Sequence, residues 1–223
     1  MENIKIQVES GHYDFLKYVG WERWCSYYHQ VSETVRLKPK TALIVGIGDN
    51  IVGEILRTQG IEVFTYDFDE TLKPDFVGNV TDIDVVLQGK SFDVVLVCQI
   101  LEHIPYTQFE DVLRKIRMVS AHVILSLPHL ARNLTLGIKL HNYKTRHFHF
   151  ALHQWWREIR CKNEPENRKS WWKIIQLHPE HYWEIGKGKY TKRRVRKSIQ
   201  KHFSIKKTFL AKGNHNILFY VLN

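Results

Sequence analysis

Short apolar runs alternate with amphipathic segments between residues 41 and 128 of this 223-residue chain. The runs have the length of β-strands, and they lie at 42–45, 62–66, 76–78, 92–98 and 121–127. Residues 50–58 and 109–120, which lie between the runs, show apolar positions at helical spacing. Because strands and helices alternate, and 92–98 is apolar throughout, we predict an α/β fold with a Rossmann-like, doubly wound and mostly parallel sheet.

The flanking segments follow other patterns. Residues 12–36 are aromatic and helical in period, and predict one or two helices before the sheet. The long basic and aromatic stretch 129–180 is too long for a structureless loop, so we expect helices within it. A very basic helix is predicted at 191–202. Two final strands, at 203–210 and 216–222, are joined by a short turn and must therefore be antiparallel.

We expect residues 1–223 to form a single domain. Its predicted parts are N-terminal helices (1–40), a core (41–128), a basic aromatic insertion (129–188), and a final helix with antiparallel strands (189–223). No run of 18 apolar residues occurs, the acidic N-terminus lacks the form of a secretory signal, and three separated cysteines predict neither a disulfide framework nor a zinc site. These features predict a cytoplasmic protein.

The net charge of +10 is concentrated in one half of the chain. Residues 1–130 hold 12 Lys and Arg against 18 Asp and Glu, whereas residues 131–223 hold 21 against 5. A cationic face of this kind attracts phosphate, nucleic acid, acidic glycans or an anionic membrane surface. A solubilising surface without a partner is the alternative.

Three strand ends carry candidate chemistry. The first apolar run leads into Gly46-Ile47-Gly48, the second ends at Asp67, and the run at 92–98 leads into Gln-Ile-Leu-Glu-His at 99–103. This layout is typical of folds that hold a nucleoside at the carboxyl ends of their strands. The dinucleotide fingerprint needs a third glycine at position 51, where the chain has Ile51.

These motifs resemble those of the class I S-adenosylmethionine-dependent methyltransferases, and Leu101-Glu102-His103 resembles the signature of their small-molecule type. The resemblance implies a seven-stranded sheet with one antiparallel strand, S-adenosylmethionine as cofactor and S-adenosylhomocysteine as product. The chain departs from the family pattern at Ile44, where an acidic residue is common, and at Asn50, where a third glycine is common.

The resemblance also implies a set of cofactor-binding positions. Asp67 would receive the ribose hydroxyls, because an ionised carboxylate can accept two hydrogen bonds. Phe68 would pack on the adenine, and Asn79 would offer an acceptor to the adenine amino group. The complete set is Val45, Gly46, Gly48, Asp67, Phe68, Asn79, Val80, Cys98, Gln99 and Leu101.

Candidate catalytic and acceptor-binding residues lie near the insertion. His181 is the first candidate for a general base and His103 the second, while Tyr182, Trp183 and Glu184 are candidates for binding the acceptor. The alternative for 181–184 is a helix start whose rings pack on the sheet. For His103 the alternative is the wall of the cofactor pocket, and Glu102 is interpreted as a residue that complements a helix dipole.

Other polar and aromatic clusters leave several interpretations open. His178 and His181 are three positions apart, but no further ligand set is evident, so no metal site is predicted. The histidines at 141, 147, 149 and 153 are interpreted as a solvated cationic helix that faces the substrate, with metal binding as the alternative. The Trp pairs at 155–156 and 171–172 fit a membrane surface, nucleic-acid bases, or a helical cap whose rings are buried on the core. The basic run at 187–197 fits phosphate binding or the outer face of a helix that covers the sheet.

The sequence therefore predicts an S-adenosylmethionine-dependent methyltransferase. An anionic small molecule, sugar or glycolipid, methylated on oxygen, is the first interpretation. A nucleic-acid methyltransferase that uses the basic C-terminal half is the alternative, as is a non-catalytic binding module that keeps the fold. Peripheral contact with a membrane is a further possibility for the basic half.

Overall fold

The computed structural model describes residues 13–130 and 180–223 with side chains, apart from the side chain of residue 215, and the backbone of 133–138 and 146–151. Helices α1 to α6 are Phe15–Tyr18, Trp21–Leu37, Ile51–Thr58, Ile83–Val86, Tyr106–Val119 and Lys192–Gln200. Strands β1 to β9 are Thr41–Val45, Glu62–Asp67, Phe76–Val77, Val94–Cys98, Val123–Pro128, Asn133–Ile138, Arg146–Ala151, Ile205–Ala211 and Asn214–Leu222.

Seven of these strands form one sheet in the order β3–β2–β1–β4–β5–β9–β8. Strands β1 to β5 pair in parallel, and β9 runs antiparallel to both β5 and β8. The predicted mostly parallel sheet with a final antiparallel strand is therefore confirmed. Because the strand order reverses between β1 and β4, a crevice is expected at the carboxyl ends of these two strands.

Helices cover both faces of the sheet, as the alternation along each strand requires. On β1, Leu43 and Val45 point to a core shared with α5 and α6, whereas Ala42 and Ile44 point to a core shared with α2 and α3. Ile44 is therefore a packing residue beneath α3. Its aliphatic side chain occupies a buried position where a carboxylate would need a charge partner.

The insertion after β5 differs from the prediction. Where helices are expected within 129–180, the structure has the antiparallel pair β6 and β7, in register from Asn133 opposite Ala151 to Ile138 opposite Arg146. The interpretation of 141–153 as a cationic helix is wrong for β7, since alternation of His and Phe over 147–150 has the two-residue period of a strand. Residues 152–179, including both Trp pairs and His178, lie outside the described residues.

No helix in the described part of the chain has both the length and the apolar character needed to cross a membrane.

Candidate functional site

The turn after β1 brings backbone amides to the carboxyl edge of the sheet. Gly46 has φ +82° and Gly48 has φ +57°, a backbone region that L side chains rarely adopt. A Cβ on Gly46 would lie 2.1 Å from Cδ1 of Ile100, the second residue after β4. Asn50, at φ +58°, completes the turn into α3, so the departure from a third glycine preserves the backbone conformation.

The carboxylate of Asp67 lies beside this turn. Its Oδ2 accepts a hydrogen bond from the amide of Ile47 (2.8 Å) and its Oδ1 accepts one from the amide of Asp69 (2.9 Å). Only 7% of Asp67 is exposed. Burial raises the pKa of Asp67 above its usual value, although the amide hydrogen bonds act in the opposite direction. Each oxygen keeps a further lone-pair direction, so this carboxylate can still accept hydroxyl groups.

The predicted adenine-binding positions follow β2 and β3. Phe68 is exposed, as a ring that receives a planar ligand should be. Asn79 caps the short 3₁₀ turn Val80–Asp82 by accepting the amide of Thr81 at Oδ1 (3.0 Å), and its carbonyl accepts the Tyr66 hydroxyl. Val80 is buried in the core, so its side chain packs and its backbone is the part available at the edge.

The end of β4 has an unusual backbone. Gln99 has φ +59°, which costs a residue with a Cβ of order 1 kcal/mol or more and is typical of functional sites. Its amide donates to the carbonyl of Ser126 (3.0 Å) and its Nε2 to the Ser126 hydroxyl (3.3 Å). Cys98 is partly buried, and Leu101 is completely buried in the core. Of these three, Gln99 is held in a strained conformation by a neighbouring strand.

Aromatic residues of the N-terminal segment lie against the glycine turn. A Cβ on Gly48 would meet the Tyr18 hydroxyl at 3.5 Å and the ring of Tyr13 at 3.7 Å. The Arg23 guanidinium stacks on Tyr18, 3.6 Å from the ring centroid. The Tyr27 hydroxyl donates to Asp49 (2.6 Å), which ties α2 to the turn. The aromatic and helical pattern of 12–36 predicts the helices, and the tertiary structure places their Tyr side chains at the turn.

A second group of polar residues lies just beyond β4. Glu102 and His103 belong to a 3₁₀ turn, Leu101–His103, and the amide of Tyr182 donates to the Glu102 carbonyl (2.9 Å), which brings His181 alongside. The rings of His103 and His181 are 5.0 Å apart at 88°. One ligand atom from each of Glu102, His103 and His181 lies within 4.8 Å of the others; we call these three residues the Glu-His cluster.

A second carboxylate, that of Glu184, contacts His181 of the Glu-His cluster. His181 Nδ1 is 3.0 Å from Oε1 of Glu184, whose Oε2 pairs with the Lys187 ammonium (2.5 Å). Glu102 is fully buried, and burial raises the pKa of Glu102 to about 8. The interpretation of Glu102 as a residue that complements a helix dipole stays a prediction, and it does not account for the burial of the carboxyl group.

The predicted acceptor-binding residues differ in how far they are buried. Tyr182 is 59% exposed, whereas Trp183 is completely buried, donates from Nε1 to the Ile104 carbonyl (3.1 Å) and meets Tyr106 and Phe109 edge-on. The prediction that the Trp183 ring contacts an acceptor is therefore corrected: it packs in the core. Glu184 is buried beside His181, and Tyr182 has the exposed ring of this group.

The comparisons with known proteins agree with this geometry. No protein-family model and no curated protein matches the chain. Solved structures do match: an S-adenosylmethionine-dependent methyltransferase from Clostridium acetobutylicum aligns over 96% of this chain and 95% of its own, at 7% identity and a TM-score of 0.54.

Two further solved structures show the same similarity. The 1,6-didemethyltoxoflavin-N1-methyltransferase of Burkholderia thailandensis aligns over 94% of this chain and 80% of its own (13% identity, TM-score 0.53). The magnesium protoporphyrin IX methyltransferase of Synechocystis aligns over 91% and 84% (14% identity, TM-score 0.56). At these identities the similarity concerns the architecture, and the chain has the fold of S-adenosylmethionine-dependent methyltransferases.

Proposed function

We propose that the protein is an S-adenosylmethionine-dependent methyltransferase that acts on an anionic small molecule, sugar or glycolipid. The observation that carries the proposal is the position of the Asp67 carboxylate. It is buried at the end of β2 and tied by the Ile47 amide to the glycine turn. Two solved neighbours contain S-adenosylhomocysteine, which is consistent with a nucleoside at this edge of the fold.

The residues present fit such a cofactor. Asp67 would accept the ribose hydroxyls, Gly46 and Gly48 would let the backbone approach the methionine portion, and Phe68 would cover the adenine. Gln99, at the end of β4, would line the opposite side of the cofactor site. Tyr13 and Tyr18, which lie over the turn, would close the cofactor against the sheet and exclude water from it.

Methyl transfer itself needs mainly positioning. A lone pair of the acceptor attacks the sulfonium methyl in line, the carbon–sulfur bond breaks, and neutral S-adenosylhomocysteine leaves. When the acceptor is a hydroxyl, its proton must go to a base or to water. The imidazoles of His103 and His181, which lie just beyond the end of β4, are our candidates for this base.

The anionic acceptor is supported by charge. Helix α6 buries Val195 and Ile199 and exposes five cationic side chains, at 192, 193, 194, 196 and 197. The Arg194 guanidinium lies over the ring of Tyr106, at the start of α5, and Tyr182 is exposed nearby in a depression that also includes Lys189. A cationic and aromatic surface of this kind suits a carboxylate or phosphate attached to a ring.

The same basic helix supports a second candidate function, methylation of a nucleic acid. Phosphate contacts to α6 would make binding fall steeply as salt rises. Retention of the protein on single-stranded RNA and on DNA at increasing salt tests this candidate. A lack of retention at low salt would contradict it and leave the small acceptor.

Calorimetry with S-adenosylhomocysteine tests the main proposal. Asp67→Ala should weaken binding by about 1–3 kcal/mol, because charge-assisted hydrogen bonds to the ribose are lost. Asp93→Ala is the matched control, since Asp93 also accepts two backbone amides but lies at the opposite edge of the sheet. Equal affinity in the two variants would contradict the ribose-binding role of Asp67. No binding by the unaltered protein would favour the non-catalytic module.

A further inference from the structure

We propose that Glu102, His103 and His181 form a binding site for one divalent transition-metal ion, next to the predicted methyl-transfer crevice. The proposal goes beyond the proposed methyltransferase function and does not depend on it. The sequence alone does not predict this site, because His181 is 79 positions after Glu102.

The first observation is geometric. The three candidate ligand atoms lie within 4.8 Å of one another. Ligands bound about 2.1 Å from a metal are roughly 3–3.5 Å apart in a tetrahedral or octahedral arrangement. Small side-chain rotations, of order 1 Å at the ligand atoms, would therefore close the Glu-His cluster around an ion.

The second observation is the state of Glu102. Its side chain is fully buried, and neither carboxylate oxygen has a hydrogen-bond partner among the described residues. A buried carboxylate that lacks both hydrogen bonds and a counter-ion is strongly unfavourable. Protonation would remove the charge but would still leave both oxygens without partners. A bound cation would compensate the charge and occupy the lone pairs together.

The third observation concerns orientation. His181 Nδ1 faces Oε1 of Glu184 at 3.0 Å, and Glu184 is itself held by Lys187. A carboxylate on one imidazole nitrogen places the lone pair on the other and raises its basicity, as is common for histidines that bind metals. Glu184 would thus act as a positioning residue for His181.

The donor set selects the metal. Two imidazoles and one carboxylate suit Zn²⁺, Fe²⁺, Co²⁺ or Mn²⁺ and leave positions for water or an acceptor oxygen. Mg²⁺ and Ca²⁺ prefer all-oxygen sites. An acceptor hydroxyl bound to such an ion would lose its proton to water more readily, and its oxygen would then attack the sulfonium methyl as described above. His181 would in that case ligate the metal, and the proton would go to solvent.

Zn²⁺ titration of metal-free protein against a chromophoric chelator tests the site. The unaltered full chain should bind one Zn²⁺. Glu102→Gln and His181→Ala should bind it about 10- to 100-fold more weakly, because even changes to residues that only orient a ligand have effects of that size. Glu70→Gln and His122→Ala change exposed residues outside the cluster and should bind like the unaltered protein. The histidines at 141–153 offer a competing location, and equal Zn²⁺ affinity and stoichiometry in all five proteins would overturn the proposal.

Thermal unfolding provides a second readout that does not rely on the chelator. Zn²⁺ should raise the unfolding midpoint of the unaltered protein but not that of Glu102→Gln, because an ion stabilises only the state that binds it. Without metal, Glu102→Gln should be at least as stable as the unaltered protein. A Zn²⁺-induced rise of equal size in both would contradict the site.

Binding of S-adenosylhomocysteine, measured on the same samples, separates this proposal from the methyltransferase proposal. Loss of Zn²⁺ binding with unchanged S-adenosylhomocysteine affinity supports the metal site. If the unaltered protein binds Zn²⁺ through the cluster but does not bind S-adenosylhomocysteine, the methyltransferase proposal fails and the metal site stands.

Discussion

The two edges of the parallel sheet each have an aspartate that accepts two backbone amides. Asp67 at the carboxyl edge accepts those of Ile47 and Asp69, and Asp93 at the amino edge accepts those of Lys40 and Thr41. Asp67 is buried and its pKa is raised, whereas Asp93 is exposed and the amides hold its pKa below the usual value.

The difference between the two aspartates teaches how to separate a binding residue from a structural one. An exposed carboxylate that accepts amides stabilises the fold by itself. In a buried carboxylate with the same number of amide hydrogen bonds, these bonds do not fully offset the lost hydration of the charge. Such a carboxylate lowers the stability of the fold unless a ligand also interacts with its charge. The hydrogen-bond count alone would treat these residues as equivalent.

The largest expected effect comes from the glycines at the two edges. Gly46→Ala and Gly60→Ala both place a Cβ at positive φ, which costs about 1–2 kcal/mol. Around Gly60 the space is open, but at Gly46 the Cβ would collide with Ile100, which adds about 1–3 kcal/mol. Urea unfolding should show the larger loss for Gly46→Ala, and only that variant should bind S-adenosylhomocysteine more weakly. Equal losses would mean that Ile100 moves aside freely.

A smaller effect is expected when each aspartate is replaced. In protein without cofactor at neutral pH, Asp93→Ala should lower the free energy of unfolding by about 0.5–2 kcal/mol, as removal of a capping carboxylate does. Asp67→Ala should lower it by less, because removing a buried charge offsets the lost amide hydrogen bonds. Chemical unfolding of both variants measures this. A larger loss for Asp67→Ala would show that its role in the fold outweighs its burial.

The smallest expected effect is the opposite pH dependence of the two variants. The folded pKa of Asp93 is lowered, so its contribution is present above the unfolded value of about 3.9 and is lost as pH falls through the folded pKa. The folded pKa of Asp67 is raised, so its contribution is greatest below about 3.9 and declines as pH rises. Unfolding measurements from pH 7 down to pH 3.5 should therefore show two opposite trends. The loss of unfolding free energy caused by Asp93→Ala should become smaller, and the loss caused by Asp67→Ala should become larger. Parallel curves would contradict the assignment of opposite shifts.

Much of the core could be predicted from the sequence, because its signals are local. An apolar run of strand length followed by Gly46 and Gly48 predicts a strand and a turn without reference to distant residues, and Asp67 follows from its place after the next run. The insertion is predicted poorly, because its length and charge favour helices whereas the two-residue alternation within β7 is the signal that matches the strand. Trp183 was misassigned because an aromatic residue in a polar cluster has the same sequence signal whether its ring is buried or exposed.

The sequence by itself determined the alternation of strands and helices, the left-handed glycine turn and the acidic strand end, since each depends on neighbours within a few positions. Only the tertiary structure decided that Glu102 is buried and that His181 lies beside it. The segment at 181–184 is joined to the turn after β4 by two long-range hydrogen bonds, from Tyr182 to Glu102 and from Trp183 to Ile104. Burial and proximity of this kind depend on how distant segments pack, and no local pattern of residues encodes that packing.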